Sequence, residues 1–276
     1  MLTILVAIPA WAGPAEPLTL SRPLAMSEAY RAAGSANGAI YSNPAGISRL
    51  TLYSVEWSWL RGDHTGGDDD TFALSIVDTK TQPFGVGLGY SFLPGDSDRH
   101  DGRLALAYAM MPRRLYAGTT FRYLLLDPEK GDSQSAIAVD AGLMLNVGAG
   151  LMLGVVGHNL LPDPGLTDTS KRSWGGGIAY EAGSFTLETD VVYDHGADPE
   201  EGGGRFAYHV GAELMLSPNL PIRAGWSRAP AGGGTVQHLS AGLGWITKAG
   251  ALDFGYSQRL DGSESRSFAL GVRSFF

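Results

Sequence analysis

Apolar and polar residues alternate along most of the chain after residue 50. In the stretch SFTLETDVVYD, Phe185, Leu187 and Val191 fall on one face, whereas Glu188 and Asp190 fall on the other. This period of two predicts β-strands, because successive side chains of a strand point to opposite faces of the sheet. About fourteen such runs follow one another, so we predict an all-β protein. The predicted strands begin near Leu52, Phe72, Phe84, Arg103, Leu115, Ile137, Leu151, Ser173, Phe185, Phe206, Pro221, His238, Leu252 and Ser267.

The connections between these runs alternate in length. Long, acidic and glycine-rich stretches such as DHTGGDDD and DHGADPEEGGG take turns with short ones such as MPRR, NVGAG and EAGS. Transmembrane β-barrels have the same asymmetry, with long external loops and short periplasmic turns. Residues 51–276 therefore predict an antiparallel transmembrane β-barrel of about fourteen strands, with both ends of the barrel sequence on the periplasmic side.

Aromatic residues lie near the two ends of many predicted strands, as expected at the two interfaces of a bilayer. Those at the loop ends are Phe92, Tyr123, Trp174, Tyr193 and Trp226, and those at the turn ends are Phe84, Tyr180, Phe185 and Trp245. The last strand ends in Phe276, which resembles the assembly signal of bacterial outer-membrane barrels. We therefore expect an outer-membrane location, with membrane lipids and the assembly machinery as partners.

The first twelve residues, MLTILVAIPAWA, have the apolar core of a secretory signal peptide. Ala10, Trp11 and Ala12 supply the small-x-small pattern that precedes a cleavage site, here before Gly13. Export is the preferred interpretation, and a buried first strand is the alternative.

Composition narrows the class of protein further. The 276 residues carry a formal charge of −8, include no cysteine and are 44% hydrophobic. These values argue against intrinsic disorder, a disulfide framework and a thiolate metal site. The acidic balance also argues against a nucleic-acid partner. No stretch reaches the roughly 18 consecutive apolar residues of a transmembrane helix.

Residues 13–50 precede the first predicted strand and have a different pattern. SEAYRAAG contains good helix formers between Ser27, a potential N-cap, and Gly34, a stop signal. Asn43 and Pro44 form a second helix start, since Asn is a favoured N-cap and Pro suits the first helical position. A segment of this length at the periplasmic end of a barrel predicts a short helical hatch that folds inward as a plug.

The hatch sequence SEAYRAAGSANGAIYSNPAGI resembles the N-terminal hatch of the FadL-type outer-membrane transporters and of the PorV-type barrels. The matching positions are Ala29, Tyr30, Asn43, Pro44 and Ala45. The resemblance implies a fourteen-stranded barrel that moves small hydrophobic, fatty-acid-like compounds passively across the outer membrane. The PorV-type alternative is a structural barrel that docks secreted or surface proteins, and an open diffusion porin comes third.

Many predicted inward positions carry ionisable side chains. They are Glu56, Arg103, Arg122, Asp140, His158, Glu188, Asp190, His209, Glu213, Arg223, Asp253 and Arg273. Symmetric hairpins would place Arg122 opposite Asp140, Glu213 opposite Arg223 and Asp253 opposite Arg273, close enough to interact. We expect these charges to pair around the plug, and a selective ion path is the alternative.

Gly85, Gly87 and Gly89 form a second inward pattern, on the third predicted strand. In the family, a kink in the third strand opens a lateral gap in the barrel wall, so the resemblance implies a candidate lateral opening at these glycines. The alternative is that they only permit curvature of the barrel.

Two motifs contain residue types that are used in catalysis or in metal binding. His238 and Ser240 in HLSAG resemble the core of outer-membrane phospholipase A, but no asparagine follows Asn219 to orient the histidine. The run from Asp68 to Asp70 offers oxygen ligands for calcium, but a solvated acidic loop is the preferred interpretation. We therefore predict neither catalysis, nor a metal site, nor a cofactor.

Overall fold

The computed structural model describes residues 20–64, 67–111, 113–129, 131–161, 172–195, 204–231, 234–261 and 265–276. Within these residues, fourteen antiparallel strands form one closed barrel, and short helices precede them. The predicted fold class is confirmed. The signal peptide at residues 1–12, the start of the hatch at 13–19 and parts of the long loops lie outside the described residues.

The strands follow the chain in order around the barrel, and β1 closes against β14. Their bounds are β1 Tyr53–His64, β2 Gly67–Asp78, β3 Gly85–Leu93, β4 Ser97–Met111, β5 Leu115–Pro128, β6 Gln134–Gly148, β7 Leu151–His158, β8 Ser173–Ala182, β9 Phe185–Asp194, β10 Arg205–Ser217, β11 Leu220–Ala231, β12 Gly234–Ile246, β13 Gly250–Arg259 and β14 Arg266–Phe275.

Most strands begin within three residues of the predicted position. The exceptions are β2, β4 and β12, which begin at Gly67, Ser97 and Gly234, four to six residues early. Their first residues are mostly charged, polar or glycine, so the apolar pattern did not mark them as strand. They nevertheless continue the ladder of a neighbouring hairpin, as in the pairing of Ser97 with Pro128.

The outer face of the barrel is apolar around its circumference. Alternate strand residues such as Leu88, Phe121, Ile178, Leu239 and Phe254 are between 45% and 56% exposed. The predicted aromatic residues at both strand ends, including Tyr123, Trp174, Tyr180 and Trp245, also point outward. An apolar band with aromatic borders is the surface that a transmembrane barrel presents to lipid.

The hatch lies inside the barrel. It consists of α1 (Ser21–Ala25), α2 (Ala36–Ser42) and a 3-10 helix (Pro44–Arg49). None of the helices in the described residues is long and apolar enough to cross a membrane.

The helix predicted between Ser27 and Gly34 is wrong. Ser27 and Glu28 form a turn with positive φ angles of 49° and 66°, and the chain from Ala29 to Gly34 is not helical. The backbone N–H groups of Tyr30 and Ala32 bond to wall carboxylates instead of helical carbonyls. Tertiary contacts have therefore overridden the local helix propensity.

Candidate functional site

The hatch backbone contacts the barrel wall at inward-facing glycines. A Cβ on Gly255 would lie 2.6 Å from the Ser21 carbonyl oxygen, and one on Gly211 would lie 2.7 Å from that of Met26. Similar overlaps with hatch atoms arise at Gly118, Gly142, Gly154, Gly225 and Gly242. These glycines occupy neighbouring strands on most of the circumference, so the wall is shaped to receive the hatch.

Two carboxylates of β9 hold the middle of the hatch. Asp190 Oδ2 accepts hydrogen bonds from the backbone N–H groups of Tyr30 at 3.0 Å and Arg31 at 3.1 Å. Glu188 accepts from the N–H groups of Ala32 and Ala33, the latter at 3.0 Å. The Arg31 guanidinium also bonds to Asp190 at 3.2 Å. Four successive N–H groups are thus satisfied by the wall, which fixes this segment without any helix.

The matching hatch residues are all buried, and Asn43 connects two parts of the hatch to each other. Its Nδ2 donates to the Arg31 carbonyl at 2.8 Å, and its Oδ1 accepts from the Ala45 N–H at 3.2 Å. Pro44 follows as the first residue of the 3-10 helix, so the sequence-predicted helix start is present in 3-10 form. Ala29 and Ala45 are 0% exposed, which leaves no space for larger side chains.

The opposite side of the hatch is apolar. Ile40, Tyr41 and Ile47 pack with Leu20 and Ala39 against four small wall residues. These wall residues are Ala73 and Val77 on β2 and Ala105 and Ala107 on β4. Burial raises the pKa of the Tyr41 hydroxyl above its ordinary value, and the nearby Arg103 partly offsets that rise.

The predicted opening strand, β3, lies in the centre of this apolar side. A Cβ on Gly85 would be 2.9 Å from Ile47, one on Gly87 2.8 Å from Ile40, and one on Gly89 3.0 Å from the Tyr41 hydroxyl. The ladders of β3 with β2 and β4 run without a register shift. The three glycines thus make room for hatch side chains, and the lateral opening stays a prediction.

Two groups of ion pairs line the lumen. We call the first cluster A, and it comprises Asp101, Arg103, Arg122, Asp140 and His158 on β4 to β7. Asp101 Oδ2 accepts from Arg103 Nη2 at 2.6 Å and from Arg122 Nη2 at 2.9 Å. Asp140 lies 3.3 Å from His158 Nδ1 and 3.8 Å from Arg122 Nη1.

Cluster B lies on β10 to β14 and β1 and includes one hatch residue. It comprises Arg22, Glu56, Glu213, Arg223, Asp253 and Arg273. Arg22 contacts Glu213 through two hydrogen bonds of 2.8 and 3.0 Å, so this cluster also attaches the hatch to the wall. Arg273 lies 3.1 Å from Glu56 and 3.0 Å from Asp253.

The predicted charge pairs form, although only one has the expected register. Glu213 is directly opposite Arg223, and their side chains are 2.6 Å apart. Arg122 is opposite Ala138 rather than Asp140, and Arg273 is opposite Ala251 rather than Asp253. Both arginines nevertheless reach their partners across two residues, because the long guanidinium side chain spans the diagonal.

Sequence reasoning missed Asp101, Arg22, Arg31 and the pair of Arg49 with Glu181. Asp101 could have been found, since it is two residues before Arg103 on the same inward face. The hatch arginines carry no such periodic signal, because their partners are more than 130 residues away in sequence.

The remaining candidate residues have structural contacts. His209 Nδ1 lies 2.7 Å from the Ser27 carbonyl oxygen, and the Ser27 hydroxyl lies 2.8 Å from that of Ser240. Ser240 therefore faces the hatch, as the inward orientation predicted. Asp68 and Asp70 pair with Arg61, and Asp70 also accepts from the Trp59 indole N–H at 2.9 Å.

Comparison of the sequence with protein-family models and with curated proteins gave no match. Solved structures, in contrast, include barrels that superpose over nearly the whole chain. The monoaromatic hydrocarbon channel CymD has a TM-score of 0.73 and 14% identity, covering 94% of this chain and 98% of its own. The Ralstonia pickettii toluene transporter TbuX has a TM-score of 0.69 and 11% identity, covering 95% and 99%. A Pseudomonas aeruginosa FadL homologue has a TM-score of 0.64 and 12% identity, covering 94% and 98%.

The chain has the fold of the FadL-type channels. The resemblance drawn from the hatch residues is therefore confirmed at the level of fold. In this FadL-type fold, the hatch is attached by charges to β8–β10 and packs through apolar side chains on β2–β4. Such an arrangement offers an apolar contact surface beside β3.

Proposed function

We propose that this protein is an outer-membrane channel for the passive movement of small hydrophobic compounds. The observation that carries the proposal is the apolar face of the hatch, formed by Ile40, Tyr41 and Ile47, against a wall strand whose inward residues there are glycines. The names of the similar structures CymD and TbuX, a hydrocarbon channel and a toluene transporter, support the same class of compound.

The route that we propose ends sideways, through the wall at Gly85, Gly87 and Gly89. Release into water would cost about 0.8 kcal/mol of free energy for each CH₂ group that becomes exposed. Lateral release avoids this cost because it places the compound directly in lipid. The side chains of Ile40 and Ile47 fill this part of the wall from the inside. Movement of these two side chains together with β3 would open a path lined by hydrocarbon.

In this proposal the lumenal charges hold the hatch and do not form an ion path. Cluster B and the carboxylates of β9 bond directly to the hatch through Arg22 and Arg31. The partners that follow are a small hydrophobic ligand, the lipids of the outer membrane and the assembly machinery, which would recognise β14 and the Phe276 that follows it. Nucleic acid and a cofactor have no role in it.

A test is uptake of a small apolar probe, toluene, by bacterial cells whose outer membrane contains the barrel. Gly87→Leu should block the proposed path, because its side chain would overlap Ile40. Gly102→Leu is the matched control, since Gly102 faces outward and its Cβ would meet nothing closer than 3.9 Å. Uptake that equals that of the same cells without the barrel would overturn the proposed function. Equal uptake by the folded Gly87 and Gly102 variants would overturn the lateral route.

The PorV-type docking role is the alternative, and mass spectrometry of the purified barrel distinguishes the two. A stoichiometric apolar molecule that survives detergent exchange, and is absent from a control barrel, supports the channel. The docking role is supported if the only lipid retained is bulk phospholipid and one secreted or surface protein co-purifies reproducibly with the barrel.

A further inference from the structure

Tyr41 of the hatch and Arg103 of the wall are in direct contact. Tyr41 lies at the end of α2, where the apolar side of the hatch meets cluster A. The Arg103 guanidinium lies over its ring, with the central carbon 4.5 Å from the ring centroid. Both residues are 3% exposed, so the contact is shielded from water. A cation over an aromatic face is a specific interaction, and it strengthens on desolvation.

The guanidinium is held in place by the wall rather than by Tyr41. Arg103 Nε and Nη2 both bond to Asp101 Oδ2, at 3.1 and 2.6 Å. Its Nη1 has no hydrogen-bond partner among the described residues, so this part of the cation depends on the aromatic face. Removal of the Tyr41 ring would therefore leave a fixed, buried cation without its π-partner.

The space that the ring occupies lies next to the proposed exit. A Cβ on Gly89 would be 3.0 Å from the Tyr41 hydroxyl and 3.4 Å from Ile40. If Tyr41 turned away, it would leave a volume of one aromatic ring, bounded by the Arg103 guanidinium, the backbone of β3 at Gly89 and the Ile40 side chain. Small monocyclic aromatic compounds match that volume.

We propose that Tyr41 occupies the place of a monocyclic aromatic ligand on Arg103, and that Arg103 makes the channel prefer aromatic over aliphatic compounds of equal size. This inference rests on the proposed function. An aromatic ligand restores the cation–π contact when it displaces Tyr41, whereas an aliphatic one leaves the buried cation against hydrocarbon. The difference predicts a preference of about tenfold.

The experiment compares toluene with methylcyclohexane, which has the same number of carbon atoms, in barrel-dependent uptake by bacterial cells whose outer membrane contains the full-length barrel. The wild type should favour toluene by about tenfold. Arg103→Met, which keeps the length of the side chain but not its charge, should lose most of that preference. Arg266→Met is the control, because Arg266 pairs with Asp63 at the outer rim and should keep the preference.

A second pair of variants tests whether Tyr41 occupies the place of an aromatic ligand. These variants leave the bonds between Asp101 and Arg103 unchanged. Tyr41→Leu should raise toluene uptake relative to the wild type, because no internal ring competes for Arg103. Tyr41→Phe keeps the ring and should behave as the wild type. If Arg103→Met does not assemble, these two variants decide the question.

The outcomes separate the two proposals. Absence of uptake of both compounds by the wild type would remove the proposed function itself. Uptake of both compounds without a preference would leave the channel and overturn the role of Arg103. A preference that persists in folded Arg103→Met, or identical toluene uptake by Tyr41→Leu and Tyr41→Phe, would also overturn it.

Discussion

The two sides of the hatch are attached to the barrel in opposite ways. On β9, Glu188 and Asp190 bind four successive backbone N–H groups and the Arg31 guanidinium. On β2 to β4, Ile40 and Ile47 pack against small residues, and no ion pair joins the hatch to these strands within the part of the chain that the structure describes. Buried ion pairs need fixed geometry, whereas apolar contacts tolerate rearrangement of side chains. The comparison therefore indicates that the β9 side anchors the hatch, and that the β3 side is where it yields.

The largest effect should come from the anchored side. Asp190→Ala removes a carboxylate that pairs with the buried Arg31 guanidinium, of whose side chain 5% is exposed. Loss of one partner of a buried pair costs about 3–5 kcal/mol. We expect the free energy of unfolding in urea, followed by tryptophan fluorescence, to fall by that amount. Asp70→Ala, at an exposed pair with Arg61, should cost less than about 1 kcal/mol. Equal losses of unfolding free energy in the two variants would contradict the conclusion that the β9 side anchors the hatch.

The next effect concerns the apolar side. Ile47 is 0% exposed and packs over Gly85, so Ile47→Ala creates a cavity beside β3. We expect a loss of about 2–3 kcal/mol in the free energy of unfolding, together with faster toluene uptake. Ile222→Ala, on β11, is a control because its side chain is only partly buried. Slower toluene uptake by Ile47→Ala would count against a yielding β3 side.

A smaller effect distinguishes the glycines of the two sides. A Cβ on Gly154 would overlap the Arg31 backbone oxygen, whereas one on Gly87 would meet the Ile40 side chain at 2.8 Å. Backbone in an anchored segment cannot move aside, but an isoleucine can change its rotamer. We expect Gly154→Ala to lower the free energy of unfolding by about 1–2 kcal/mol more than Gly87→Ala. The reverse order would show that the hatch is held rigidly at β3.

The smallest effect should appear at the periplasmic rim of the anchored side. Arg49 Nη2 lies 2.8 Å from both carboxylate oxygens of Glu181, whose side chain is 35% exposed. Glu181→Gln should therefore cost about 0.2–1 kcal/mol, and the loss should shrink at high salt. Unfolding measured at two salt concentrations checks this, and a loss that does not depend on salt would argue against an electrostatic origin.

Much of the barrel was predictable from local pattern. Alternation in β9 placed Glu188 and Asp190 inside, and the charges in β10 and β11 predicted the pair of Glu213 with Arg223. Strand ends were harder to predict, because Gly67 and Ser97 extend ladders without an apolar signal. The predicted conformation of the hatch was wrong at Ser27–Gly34. There, hydrogen bonds to a strand more than 150 residues away in sequence outweigh the local helix propensity.

By itself, the sequence determined the alternation, the number of strands, the order of loops and turns, and the presence of an Asn-Pro start before β1. These features depend on residues close together in the chain, since each strand sorts its side chains between two faces. The tertiary structure alone decided what the inward residues are for. Closure of the barrel brings inward faces that are distant in sequence into contact with the same hatch. For this reason, glycines on separate strands together accommodate the hatch backbone, and Arg103 packs on the Tyr41 ring.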